Sequence, residues 1–85
     1  MGVVDMRSLL ELLDEVLELG GRANAFTADS PLLGALPEFD SLAVLGLITA
    51  LQERFGIAIL DDDIDPDIFE TVGSLQQFIE SRMPA

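Results

Sequence analysis

The chain has 85 residues, with sixteen acidic side chains against four arginines, no lysine, no histidine and no cysteine, and a formal charge of −12 at pH 7. That length suits one modest core in a single domain over residues 1–85, while the missing cysteine and histidine remove disulfides, thiolate ligands and the commonest general base. The negative surface argues against nucleic acid and anionic membranes, whose phosphates it would repel, and points to a protein partner with a basic patch.

A hydrophobic fraction of 49% is too high for an acidic disordered tail. Asp5 arrives too early for a signal-peptide core, and no apolar run reaches membrane-spanning length. A soluble, cytoplasmic monomer is expected.

The first segment predicts an amphipathic helix. Met6, Leu9, Leu10, Leu13, Val16 and Leu17 recur at helical spacing, and Arg7, Glu11, Glu15 and Glu18 take the other side. Asp5 is its expected N-cap, and Gly20-Gly21 its expected stop. From Gly20 to Asp40 runs a long connection with turn chemistry at Asp29-Ser30-Pro31, Gly34 and Pro37. Phe26, Leu32, Leu33, Leu36 and Phe39 make it too apolar for a solvated loop, so it is read as ordered and pinned by its leucines.

A second helix is expected from Ser41 to Phe55, with Leu42, Leu45, Ile48, Leu51 and Phe55 as one face and Gly56 as its end. It holds no charge until Glu53-Arg54, so it is either central to the core or shows an apolar strip to something else. Gly46 costs such a helix roughly 1 kcal/mol relative to alanine, which a closely approaching neighbour would explain. After an extended stretch, Ile57 to Leu60, Asp65-Pro66 opens a short helix through Ile68, Phe69 and Glu70. Thr71 then caps a last helix with Val72, Leu75, Phe78, Ile79 and Met83 as its stripe, ended by Pro84. The sum is an all-α bundle of three main helices and one short one, with a long ordered first loop.

Little in this pattern carries chemistry of its own. Asp61, Asp63, Asp65 and Asp67 alternate as the ligands of a calcium loop do, but that loop needs glycine at its sixth place and glutamate at its twelfth. Counted from Asp61 those places hold Pro66 and Val72; counted from Asp63, Ile68 and Ser74. A solvated acidic turn is the reading that stands. No carboxylate sits alone in an apolar pattern, and no serine has a histidine or lysine to activate it, so self-contained catalysis is not expected. Asp40-Ser41-Leu42 remains, where the turn-rich loop meets the least charged helix. On its own, Ser41 reads as an N-cap. In its context it is also a hydroxyl where helix amides and the helix dipole favour an attached phosphate.

Taken together, these residues resemble the carrier-protein domains typified by acyl carrier protein. The resemblance rests on the first amphipathic helix, Asp29-Ser30-Pro31-Leu32-Leu33, Asp40-Ser41-Leu42, Leu51-Gln52-Glu53-Arg54-Phe55-Gly56-Ile57, the acidic turn, and Thr71-Val72-Gly73-Ser74-Leu75. It implies a four-helix bundle whose Ser41 receives a 4'-phosphopantetheine arm from coenzyme A, through a phosphopantetheinyl transferase and magnesium. The arm's thiol would carry acyl groups as thioesters. The resemblance also implies a recognition face of Asp40, Leu42, Leu45, Thr49 and Glu53, with Asp61, Asp62, Asp63 and Glu70 as acidic neighbours. Its implied partners are the transferase and an acyl-activating ligase, acyl transferase or synthase with a basic docking patch.

Carriers of bacterial fatty-acid synthesis usually have acids two and five residues after the serine, where this chain has Ala43 and Gly46, and Gln52 replaces a further common acid. The chain is therefore more similar to stand-alone carriers of specialised pathways, such as those beside acyl-activating ligases in exopolysaccharide or exosortase gene neighbourhoods. Ala43 after Ser-Leu is also similar to the small residue of D-alanyl and some peptidyl carriers, which makes an aminoacyl cargo the alternative. A carrier-like interaction module that is never modified is the other.

Overall fold

The computed structural model describes residues 5–36 and 39–83, with Ser41 and Asp61 in their backbone alone. Among them are three α-helices, α1 (Met6–Leu17), α2 (Ser41–Phe55) and α3 (Val72–Arg82), and 3-10 turns at Arg22–Ala25, Asp61–Asp63 and Pro66–Phe69. The all-α expectation holds, and the short helix after Asp65 takes the tighter 3-10 form.

Helix α1 starts as its sequence predicts, with the Arg7 amide donating to the Asp5 carboxylate at 3.2 Å. Leu9, Leu10, Leu12, Leu13 and Leu17 are buried. Its stop is earlier than Gly20-Gly21. Glu18 adopts the left-handed conformation at φ 54°, and the Leu19 amide turns back to the Asp14 carbonyl at 3.0 Å. Leu19 is buried, so folding this apolar residue onto the core decides where the helix ends. The Asp14 carboxylate then accepts from the amides of Gly21 (2.8 Å) and Ala23 (3.2 Å) and holds the following turn against α1.

The long connection is ordered, but by backbone pairing as much as by its leucines. Leu32 and Phe39 are buried, and the Phe39 ring meets Phe69 with centroids 5.6 Å apart; Leu33 is exposed. Pro31 and Thr71 form an isolated antiparallel bridge. Around it, Leu32 and Leu33 donate to the carbonyls of Glu70 and Phe69, both at 2.9 Å, and Val72 donates to Ser30 at 3.0 Å. Gly73 donates to Ala28 at 2.8 Å, and a Cβ there would lie 2.9 Å from that carbonyl oxygen. Only glycine fits this approach.

Helix α3 carries the expected cap, completed by Ser74: the Ser74 amide donates to Thr71 Oγ1 (3.1 Å) and the Thr71 amide to Ser74 Oγ (3.0 Å). Val72, Leu75 and Ile79 are buried, with Phe78 and Met83 packed partly against them. Met83 is extended, as the residue before a proline should be; Pro84 lies outside the described residues. The core is a contact of all three helices and the loop. Leu9, Leu13, Leu32, Leu47, Leu51, Val72, Leu75 and Ile79 are fully buried, and no polar side chain is buried among the described residues.

Candidate functional site

The amino-terminal end of α2 is built from the loop upward. Phe39 is buried and its amide donates to the Leu36 carbonyl at 3.0 Å, which fixes the entry of the chain; Pro37 and Glu38 lie outside the described residues. Asp40 is the N-cap. Its carboxylate accepts from the Ala43 amide at 2.8 Å, and its carbonyl from Val44 at 3.0 Å. The reading of Ser41 as N-cap is thereby corrected: capping belongs to Asp40, and Ser41 is the first helical residue. An aspartate with extended backbone satisfies the third helical amide, so no second cap is needed. The amides before it have no helical acceptor, and the helix dipole is positive there.

The other four serines have local tasks. Ser8 donates to the Asp5 carboxylate at 3.5 Å, and Ser30 accepts from the Thr27 amide at 2.8 Å. Ser74 donates to the Ile68 carbonyl at 2.8 Å within its capping box, and Ser81 to Phe78 at 2.6 Å. Each hydroxyl stabilises a turn or helix end.

Below Ser41, α2 shows two faces. Leu47, Ile48 and Leu51 are buried and Val44 is half-buried, whereas Leu42 and Leu45 are 78% and 62% exposed. The expected stripe of Leu42, Leu45, Ile48, Leu51 and Phe55 is therefore shifted. A single face drawn through all five ignored that Leu47, between them, fits the core better, and choosing it turns Leu42 and Leu45 to water. The outward face reads Leu42, Leu45, Thr49, Glu53, all exposed, with Gly46 beside them. Thr49 Oγ1 donates to the Leu45 carbonyl at 3.1 Å, so its hydroxyl is already satisfied by the helix. The neighbour expected at Gly46 is not supplied by the fold: a Cβ there would meet nothing closer than Val16 Cγ1 at 3.9 Å, an ordinary contact.

The acids divide into free and engaged. Asp62, Glu53 and Glu70 are exposed. Asp63 is drawn inward, its side chain 17% exposed: one oxygen takes the Arg82 guanidinium at 2.8 Å, the other the Leu60 amide at 3.0 Å. Arg82 in turn lies over the Phe78 ring, 5.3 Å from its centroid. The acidic turn is thus tied to the last turn of α3. On its other side Gln52 Oε1 accepts from the Ile59 amide at 3.0 Å and ties it to α2. Sequence reasoning saw Gln52 only as a missing acid and did not find this role; a polar side chain facing an extended stretch a few residues on was its one signal. Glu70 belongs to the seam with the first loop. Among the described residues no group of three or more carboxylates is gathered as a metal ion would need, and no helix is long and apolar enough to cross a membrane.

The chain matches the family described as "Phosphopantetheine attachment site" over residues 7–80. It is similar to the solution NMR structure of a holo acyl carrier protein from Nitrosomonas europaea, with 46% identity and a TM-score of 0.83 over 89% of this chain and 92% of that one. A comparison with curated proteins finds no match. The start of α2, with its cap supplied by Asp40, has the positive end of the helix dipole that suits a phosphate-linked group. The chain belongs to the acyl carrier protein family of phosphopantetheine-attachment domains, and its prosthetic group is a covalently held 4'-phosphopantetheine.

Proposed function

We propose that Ser41 is the residue that holds the arm, and that the protein presents acyl groups to the enzymes of a dedicated pathway. The observation that carries the site is the division of tasks at the start of α2. Asp40 caps the helix, and the other four serines are occupied in local structure. Ser41 is left as the first helical residue, where unpaired amides and the dipole favour a phosphodiester. The arm supplies a terminal thiol for thioester chemistry, which a chain without cysteine does not possess. The chain's own residues hold, expose and orient; chemistry is left to the partners.

Leu42, Leu45, Thr49 and Glu53 form the face that partners read, with Asp62 and Glu70 as further exposed acids. A phosphopantetheinyl transferase using coenzyme A and magnesium loads the arm, and an acyl-activating ligase, acyl transferase or synthase uses it. Tethering gives each partner the cargo at high effective concentration, so weak docking is enough. Support for a dedicated pathway comes from α2 itself, which has no acid between Asp40 and Glu53. Partners must therefore rely on Leu42 and Leu45, since Ala43, Gly46 and Gln52 stand where a housekeeping carrier offers carboxylates. The same reading puts a monomer in the cytoplasm, beside its coenzyme A.

The test is an intact mass before and after incubation with coenzyme A, magnesium and a promiscuous transferase, with Ser41→Ala alongside. A gain of one phosphopantetheine on the wild type alone is expected. A gain on Ser41→Ala refutes the site. A folded wild type that no transferase in a panel modifies would instead favour an unmodified interaction module.

A further inference from the structure

Between α1 and α2, on the flank of the outward face, lies an open groove of about 320 Å³. Its floor is Leu12, Val16 and Ala50, and its rim Glu15, Glu53 and Arg54. The rim is unevenly charged. Arg54 is 3.4 Å from Glu15 and so is already partnered, whereas Glu53 makes no ion pair among the described residues. Gly46 does not line the groove, but Val16, which does, lies 3.9 Å from where a Gly46 Cβ would stand. Nothing inside the fold needs a glycine there, yet the helix bears its cost.

We infer that this groove is a second docking surface, continuous with the α2 face, and that it takes a basic amphipathic helix of a partner protein. An apolar side chain of that helix seats on Leu12, Val16 and Ala50, and a lysine or arginine one turn away pairs with Glu53. A groove between two helices receives the side-chain ridge of a third. Other occupants fit worse. A second copy brings the same −12 charge, with its one cation at this groove already paired. An anionic lipid surface is repelled by the same charge. The inference rests on the carrier reading for the partner's identity, an enzyme acting on the arm, but not for the chemistry of the groove.

The test uses the full chain, labelled with ¹⁵N and loaded with the arm, titrated with a synthetic amphipathic helical peptide of leucine and lysine. Oligolysine of equal charge is the control. The amides of Leu12 to Val16 and of Gly46 to Arg54 are expected to shift with the peptide and not with oligolysine. Glu53→Gln and Gly46→Leu should each weaken the peptide by about tenfold, the loss of one desolvated contact. Asp29→Asn, which removes a charge from the first loop, should change it less than about twofold, as screened distant charges do. Equal shifts with oligolysine, shifts confined to the acidic turn, or Glu53→Gln behaving like Asp29→Asn would overturn the inference. Self-association of the labelled chain through these amides would replace the partner helix by a second copy, and overturn it too. The titration is repeated on the chain without the arm, so failure of the carrier reading is distinguishable: it appears as a missing mass gain on the wild type while the unloaded chain still gives the peptide shifts.

Discussion

Helices α2 and α3 begin in similar ways and end up with opposite surroundings. Each has a polar N-cap in extended conformation, Asp40 for α2 and Thr71 for α3. At α3 the first amides are then filled from outside the helix. Val72 and Gly73 donate to Ser30 and Ala28 of the first loop, Thr71 and Ser74 exchange bonds, and Val72 is fully buried. At α2 only the Ala43 amide is taken by the cap, and Leu42 in the first turn is left in water. The difference separates a helix start that is tied to a loop from one whose cap, among the described residues, takes a single amide. A positive helix end becomes a place for an anion only where the fold has not already filled it.

The comparison is broken most severely at its sealed side. Gly73→Ala forces a Cβ to within 2.9 Å of the Ala28 carbonyl oxygen, a backbone atom that cannot turn aside. A loss of about 2 kcal/mol is expected, typical of overpacking, and thermal unfolding by circular dichroism should register it as roughly 10 °C. Arm attachment by intact mass should survive at temperatures where the variant is folded.

The two caps provide the next test. Thr71→Ala and Asp40→Ala should each cost about 1 kcal/mol by urea titration, the ordinary value of a lost N-cap. Only Asp40→Ala should also slow loading by the transferase, since it frays the turn that presents Ser41. Equal loading by the two variants would mean that the open end is not prepared by its cap.

At Gly46 the sign reverses. Because a Cβ there makes only an ordinary contact with Val16, Gly46→Ala is expected to stabilise the protein by up to about 1 kcal/mol. A melting temperature that falls instead would reveal a packing constraint on the outward face. The smallest change in stability belongs to Leu42→Ala, within about 0.5 kcal/mol for so exposed a side chain. Its effect should appear in the KM of the transferase for the protein, raised several-fold, and that rise should persist at high salt because an apolar contact is not screened.

Much of this could be read from residues alone. The Asp5, Thr71 and Asp65 caps, the extent of α2 with Gly56 behind it, and the stripe of α3 follow from side-chain periodicity and local hydrogen bonding. What escaped was decided by contacts distant in the chain. Two glycines looked like the stop of α1, but the burial of Leu19 ended it at Glu18. A helix apolar nearly all round did not reveal which leucines face the core, because tertiary packing, to which α1 contributes, selects Leu47 over Leu42. The seam of the first loop with residues 69–73 is made of backbone groups, which leave no pattern in side chains. At the start of α2, Ser41 as the first residue of the helix was legible and the cap was misassigned by one residue, since Asp and Ser are equally good caps and adjacent. The engagement of Asp63 by Arg82 and Leu60 was not legible within a run of three aspartates.

The seam has a kinetic meaning as well. Its two edges flank α2 in the chain, so closing it makes a ring of chain that includes the helix, and the amides of Leu32, Leu33, Val72 and Gly73 can open only when that ring opens. Their hydrogen exchange therefore reports on large unfolding, whereas exchange in the first turn of α2 reports on local fraying alone. The start of α2 can therefore breathe without the ring letting go.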